Sequence, residues 1–171
     1  ASAQYKSAKN MTDKVAALAI LTDTQSNERQ AAFDDFYKQW KSDPLVLDKW
    51  FMLQAVADRQ DAVEMVLQLT SHPDFTYKNP NRLRSLLGAF ASGNQKWFHR
   101  QDGAGYRLLA DTIIKVNSIN PSMAARLVGP MRQWRRYDAV RKSLMENELK
   151  RILAEKDISN DVYEIASKSL S

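Results

Sequence analysis

The chain has 171 residues, of which 44% are hydrophobic and 26% are charged, and its formal net charge is +5. This length and composition predict a single folded domain over residues 1–171 and exclude an intrinsically disordered chain. Cysteine is absent, which excludes disulfides and thiolate metal sites and is typical of a cytoplasmic protein. No apolar run reaches the roughly 18 residues of a membrane span, so we expect no membrane partner. The sequence begins at Ala1 rather than at a methionine, which favours a segment of a longer polypeptide.

Apolar residues recur at every third or fourth position along nearly the whole chain, which predicts amphipathic helices and no strands. The first predicted helix runs from about Met11 to Thr24, and Ser26 is the expected N-cap of the second. Three further helices are expected to open on a polar cap followed by proline, which loses no hydrogen bond at the first helical position. These openings are Asp43-Pro44, Asn79-Pro80 and Asn120-Pro121.

Stop signals divide the remaining chain. A helix from about Asp61 to Thr70 is expected to stop at His72-Pro73, and the helix after Pro80 is expected to end near Ser92-Gly93. Gly103-Ala104-Gly105 leads into a long predicted helix, and Gly129-Pro130 breaks the helix that follows Pro121. The last long helix is predicted from about Tyr137 to Lys156, and Ser159 is expected to cap a terminal helix.

The three proline openings stand 36 and 41 residues apart, a period similar to that of HEAT and armadillo repeats. We therefore predict an all-α fold, a right-handed superhelix of antiparallel helix pairs of the HEAT or armadillo kind. Because the units share little beyond these openings, a compact irregular bundle is the structural alternative.

The sequence contains no recognisable catalytic motif. Its two histidines, His72 and His99, are not followed by the glutamate of an H-E-x-x-H zinc motif, and no G-x-S-x-G elbow or phosphate-binding P-loop is present. The carboxylate pairs Asp34-Asp35 and Asp58/Asp61 are expected to be solvated helix ends rather than an acid–base pair. We predict no catalytic residue and no metal ligand in this chain.

Six stretches of the chain nevertheless resemble the helical C-terminal domain of bacterial aminopeptidase N, in the same order and over about Tyr5 to Leu170. The stretches are Asn10–Asp13, Leu47–Phe51, Asn79–Phe90, Gln101–Tyr106, Asn120-Pro121 and Arg136–Asp138. The resemblance implies a parent zinc enzyme that removes N-terminal residues from peptides. In that family the zinc motif and the G-x-M-E-N substrate-amine motif belong to earlier domains, and this sequence contains neither.

The resemblance also implies a role for this segment and for two of its residues. The segment would form a wall and lid over an enclosed active-site chamber, with the catalytic and β domains of the same polypeptide and peptide substrates as its partners. Arg84 and Arg126 match positions that in the family face the chamber, which makes them candidates for the substrate channel. A guanidinium can hold a peptide carboxylate with paired hydrogen bonds. The alternative is that both arginines bond helix-end carbonyls or acidic residues within the domain.

Two other functions are compatible with the residues. A free-standing helical-repeat adaptor would bind another protein along its concave face. Nucleic-acid binding would use the basic segment from Arg132 to Arg151, with Trp134 and Tyr137 stacking on bases, but acidic residues interrupt that segment and we expect no nucleic-acid partner. The four tryptophans are expected in the core or between repeats, with a docking surface as the alternative. They are Trp40, Trp50, Trp97 and Trp134.

Overall fold

The computed structural model describes all 171 residues and is helical throughout, without strands. Twelve α-helices follow one another along the chain, and short 3₁₀ turns cover Gly129–Met131 and Trp134–Arg136. The helices are α1 (Ser2–Ser7), α2 (Met11–Leu21), α3 (Asn27–Trp40), α4 (Pro44–Ala55), α5 (Ala62–Leu69), α6 (Pro80–Leu83), α7 (Ala89–Gly93), α8 (Gln95–Phe98), α9 (Ala104–Asn117), α10 (Pro121–Leu127), α11 (Ala139–Leu153) and α12 (Asn160–Leu170). A π-helical turn, Arg84–Gly88, joins α6 and α7 into one continuous helical segment.

The predicted helix starts are confirmed by side-chain caps. Asp43 Oδ1 accepts hydrogen bonds from the amides of the first turn of α4 at 3.0 and 3.3 Å, and Asn79 Oδ1 does the same for α6 at 3.0 and 3.2 Å. Asn120 Oδ1 accepts one bond of 3.1 Å at the start of α10. Ser26 and Ser159 cap α3 and α12 in the same way. These bonds satisfy amides that have no partner within the helix.

Helices alternate between two packed layers. The proline-opened helices α4, α6–α7 and α10 share the first layer with α2 and α12, while α3, α5, α9 and α11 form the second. Side chains from both layers meet in one core of 41 buried residues, which includes Phe51, Leu86, Tyr106 and Met145. The architecture confirms the prediction of stacked helix pairs.

The sequence pattern did not predict α1, and three helix ends differ from their predicted positions. α1 has no apolar periodicity and contributes only Tyr5 to the core, so its position depends on a tertiary hydrogen bond of 2.8 Å from the Tyr5 hydroxyl to Asp35. α2 ends at Leu21 and α11 ends at Leu153, each three residues before its predicted end. α11 begins at Ala139 rather than near Tyr137, because Asp138 is its cap and accepts a hydrogen bond from the amide of Arg141.

Two local features decide how the centre of the chain packs. Gly105, in the first turn of α9, lies directly against α8, and a Cβ at this position would lie 2.2 Å from the carbonyl oxygen of Phe98, so only glycine fits. Gly103 adopts a left-handed conformation with φ of 73°, which turns the chain into α9. None of the helices combines the length and the apolar character needed to cross a membrane.

Candidate functional site

A groove of about 640 Å³ opens on the first layer, between α4, the continuous segment α6–α7 and α10. Leu83 and Leu127 contribute apolar surface to its lining, and Met52 of α4 is 41% exposed at its wall. Arg84 and Arg126 stand on opposite sides, one from the π-turn and one from α10. No aspartate or glutamate lines the groove. The structure therefore brings together the two arginines that the sequence resemblance singled out.

Arg84 owes its position to the π-turn that it begins. A Cβ on Gly88 would lie 3.4 Å from Arg84 Cγ, so the arginine stem runs over the bare backbone of the glycine. The guanidinium is exposed and donates no hydrogen bond within the chain. π-turns inside α-helices are frequently found at functional sites, because they rotate one side chain out of the helical register.

Arg126 lies in the last turn of α10, between the buried residues Ala125 and Leu127. Its side chain is exposed and makes neither a hydrogen bond nor an ion pair. In this structure neither Arg84 nor Arg126 donates a side-chain hydrogen bond to a helix-end carbonyl or to an acidic residue of the domain. The two guanidinium groups are available to an external anion.

The remaining arginines behave differently. Of the twelve arginines in the chain, nine donate at least one side-chain hydrogen bond to another residue. The three that donate none are Arg84, Arg126 and Arg132, and each lines the groove or the cavity next to it. Unpaired arginines are thus concentrated on one surface.

The neighbouring cavity has a volume of about 780 Å³ and shares Arg126 with the groove. Arg132, Gln95 and Gln133 contribute polar groups, and again no carboxylate lines the cavity. In the sequence, Arg132 is recognisable only as part of the basic segment from Arg132 to Arg151. A helical projection could not have placed it here, since the Gly129–Met131 turn interrupts the helix between Arg126 and Arg132.

His99 supports the wall of this second cavity. Its Nδ1 lies 2.7 Å from the hydroxyl of Tyr106, its Nε2 lies 3.0 Å from that of Tyr137, and its ring stacks on Tyr137 at 4.4 Å. Burial, with Arg141 nearby, lowers the pKa of His99 from 6.5 to about 4. The imidazole is therefore neutral at pH 7 and offers one donor and one acceptor to the two hydroxyls. This chain of hydrogen bonds holds Tyr137 against α8.

A larger cavity of about 1240 Å³ lies on the second layer, between α3 and α5. Its buried arginine, Arg29, donates to the carbonyl of Thr22 and to the sulfur of Met65. Four carboxylates line this cavity: Glu28, Asp34, Asp61 and Glu64. Because these groups repel anions, the cavity does not suit a peptide carboxylate.

The other candidate side chains are engaged in structure. His72 packs edge-on against Tyr37 and Phe51, with ring centroids 5.1 and 5.5 Å away, and no group of three or more potential ligands is arranged to hold a metal ion. The carboxylates of the sequence-predicted pairs bind other residues: Asp58 accepts from Lys96 at 2.9 Å and Asp61 from Arg59 at 2.6 Å.

The basic segment and the tryptophans also make structural contacts within the domain. Trp134 is only 5% exposed and donates through Nε1 to the carbonyl of Ser169, so it is not available to stack on a base. Arg141 and Arg151 bind Asp138 and Asp111 across 2.7 Å each. The prediction that the tryptophans belong to the core is confirmed: Trp50 and Trp134 are buried in it, and Trp40 and Trp97 pack against it.

Comparison with known proteins identifies relatives along the full length of the chain. A family profile described as "Domain of unknown function (DUF3458_C) ARM repeats" matches residues 1–171. The chain is 43% identical to aminopeptidase N of Haemophilus influenzae and 46% identical to that of Caulobacter vibrioides, over 97% of its length in both cases. It is 41% identical to aminopeptidase N of Escherichia coli over 99% of its length.

A solved structure agrees with these matches. The crystal structure of Legionella pneumophila aminopeptidase A in complex with aspartic acid superposes with a TM-score of 0.92 at 39% identity, covering 98% of this chain. The chain spans about one fifth of the length of that protein and of the curated relatives. The resemblance to the C-terminal helical domain of bacterial aminopeptidase N and the armadillo-like fold are both confirmed. The chain belongs to the DUF3458_C family of ARM-repeat domains.

Proposed function

We propose that this chain is the C-terminal domain of a zinc-dependent aminopeptidase N that releases N-terminal residues from peptides, and that it encloses the active-site chamber and controls substrate access. The names of the relatives and the one-fifth share of their length support this proposal. Catalytic and β domains would make up the rest of the polypeptide, in the cytoplasm. On this proposal the isolated chain hydrolyses no peptide.

The residues of this chain do not fit the zinc ion. His72 is surrounded by aromatic rings and His99 is held between two tyrosine hydroxyls, so neither has a second histidine or a carboxylate arranged with it as a ligand set. A catalytic zinc site needs about three protein ligands that converge on one point. We therefore assign the metal to the part of the polypeptide outside this chain.

Arg84 and Arg126 are proposed to bind the C-terminal carboxylate or an acidic side chain of the peptide substrate. The observation that carries this role is that the two guanidinium groups line the same groove, that neither has a hydrogen-bond partner within the chain, and that no carboxylate lines the groove itself. An arginine–carboxylate hydrogen bond is charge-assisted and can be bidentate, which orients the bound peptide as well as holding it.

The surface of α4 beside the groove is suited to contact with another domain. Leu45 and Met52 are 70% and 41% exposed and lie seven residues apart on one side of the helix, and Val56, which follows the last residue of α4, is 37% exposed. Exposing such apolar side chains to water is unfavourable in free energy, and covering them with another protein surface is favourable. The free-standing adaptor would also need such a surface, so activity decides between the two functions.

The test is a comparison of two substrates in the full-length polypeptide that contains this chain. We expect Arg84→Gln and Arg126→Gln each to raise KM for a tripeptide with a free carboxylate by about tenfold, which corresponds to about 1.4 kcal/mol for one charged hydrogen bond. KM for the same tripeptide as its C-terminal amide should not change. Arg107→Gln, which removes an exposed arginine from α9 on the second layer, is the matched control.

Equal effects on the acid and on the amide would contradict the carboxylate role of the two arginines. Hydrolysis of an aminoacyl reporter by the isolated 171-residue chain would contradict the assignment of catalysis to other domains. A full-length polypeptide without any aminopeptidase activity would favour the adaptor.

A further inference from the structure

We infer that the groove and the neighbouring cavity together bind two anionic groups at once, the second of them between Arg126 and Arg132. The ligand class is a peptide that carries an acidic side chain in addition to its terminal carboxylate. The inference rests on the proposed function, according to which the ligands are peptides. It adds Arg132 as a residue that determines specificity.

The two cavities form one continuous surface. Ser92, Arg126 and Pro130 line both of them, so Arg126 stands at the boundary with Arg84 on one side and Arg132 on the other. A single peptide lying across this boundary can therefore reach all three guanidinium groups without leaving the surface.

Arg132 reaches this surface only because the helix is broken. On an unbroken α-helix two residues six positions apart point about 120° apart, so Arg132 would lie on a different side of the helix from Arg126. The 3₁₀ turn Gly129–Met131 changes this direction, and the fully buried side chains of Val128 and Met131 anchor the turn in the core. The fold thus holds Arg132 beside Arg126 while leaving its side chain exposed.

The charge of the surface favours two anions over one. Three guanidinium groups line it, none has an internal hydrogen-bond partner, and neither cavity contains a carboxylate. Gln133 adds a donor: its Oε1 accepts a hydrogen bond of 3.0 Å from Arg136, which leaves its amide N–H groups free. A single terminal carboxylate can engage two arginines and leaves the third without a partner.

Acidic residues do lie nearby, on the side of α12. Asp161 and Glu164 line a cleft of about 490 Å³ that Arg126 and Arg132 also border. Neither carboxylate forms an ion pair with these arginines, and Glu164 binds Lys168 at 2.6 Å. Asp161 is therefore the one internal group placed to compete with a bound peptide, and its removal should favour binding.

The experiment measures peptide binding to the ¹⁵N-labelled chain by NMR titration at low ionic strength. The probes are the tripeptide Ala-Ala-Ala and the tripeptide Ala-Asp-Ala, which differ by one side-chain carboxylate. We expect Ala-Asp-Ala to bind about tenfold more tightly to the unmodified chain. Arg132→Gln should abolish this preference while leaving the affinity for Ala-Ala-Ala within about twofold, since its side chain supports no part of the fold.

Three variants complete the design. Arg107→Gln removes the same charge from the second layer and should keep the tenfold preference, which separates a local contact from a change in net charge. Asp161→Asn should strengthen the binding of Ala-Asp-Ala about twofold. Arg84→Gln should weaken both peptides, because it acts on the terminal carboxylate that they share.

Equal affinities of the two peptides for the unmodified chain would overturn the inference, as would a preference that survives Arg132→Gln or disappears in Arg107→Gln. A different result would contradict the proposed binding of the terminal carboxylate by Arg84 and Arg126. In that case Arg84→Gln and Arg126→Gln would leave the affinity for Ala-Ala-Ala unchanged.

Discussion

Arg82 and Arg84 are two residues apart in one helical segment and have opposite environments. Arg82 is buried, donates to Asp48 at 2.6 Å and to the carbonyl of Asp74, and lies over the ring of Phe51. Arg84 faces the groove and donates no hydrogen bond within the chain. The first arginine ties α4, the 74–80 connection and α6 together, whereas the second is left for a ligand. The same residue type stabilises the fold in one region and is proposed to bind substrate in the other.

Among substitutions that test this difference, the largest change in stability is expected from replacing Arg82. Arg82→Ala should lower the free energy of unfolding by about 3 to 5 kcal/mol, because it leaves the mostly buried carboxylate of Asp48 without its partner. Arg84→Ala should change it by about 0.5 kcal/mol or less, as is usual for an exposed side chain without contacts. Urea denaturation of both variants checks the difference. Similar losses in the two variants would show that Arg84 also supports the fold.

A smaller effect is expected from protonation of His99, which supports the cavity wall from the interior. Its pKa in the folded chain is about 4, below the ordinary value of 6.5, so the unfolded chain takes up the proton first as the pH falls. The stability that this group contributes is complete above about pH 6.5 and is lost between pH 6.5 and pH 4. Between pH 7 and pH 5 the loss is about 2 kcal/mol.

The measurement compares urea denaturation of the unmodified chain with that of His99→Gln at several pH values. The variant should be less stable at pH 7 and should lack the part of the pH dependence that His99 contributes. His72, whose pKa is also lowered by burial, is present in both proteins and cancels in the difference. Parallel pH profiles would mean that His99 titrates normally in the fold.

The smallest effect is expected at Gly88, beneath the stem of Arg84. Gly88→Ala places a Cβ 3.4 Å from Arg84 Cγ, which should shift the guanidinium and weaken the binding of Ala-Ala-Ala by up to about threefold. Stability should change by less than about 1 kcal/mol, since alanine is favoured over glycine in a helix. Gly93→Ala meets only Val56 and is the control for peptide binding. Equal binding by the two variants would argue against a fixed position for Arg84.

Much of the fold follows from local signals. The caps Asp43, Asn79 and Asn120 start helices where predicted, because the bond from a side-chain oxygen to the next amides needs no distant residue. α1 could not be predicted in this way, since its one buried side chain, Tyr5, is held by Asp35 from α3. Local patterns determine where helices begin, and tertiary contacts decide whether a short and polar one forms.

The candidate site, too, could be predicted from the sequence only in part. The resemblance of the chain to a known family identified Arg84 and Arg126 as candidate site residues. The sequence also showed that no catalytic motif is present. Only the tertiary structure decided that both arginines lie on one groove without internal partners and that Arg132 joins them. The physical reason is that an arginine side chain pairs with whatever acceptor the fold places nearby. Arg82 pairs with Asp48, which lies 34 positions away in the sequence. No local sequence pattern shows that Arg82 has such a partner or that Arg84 has none.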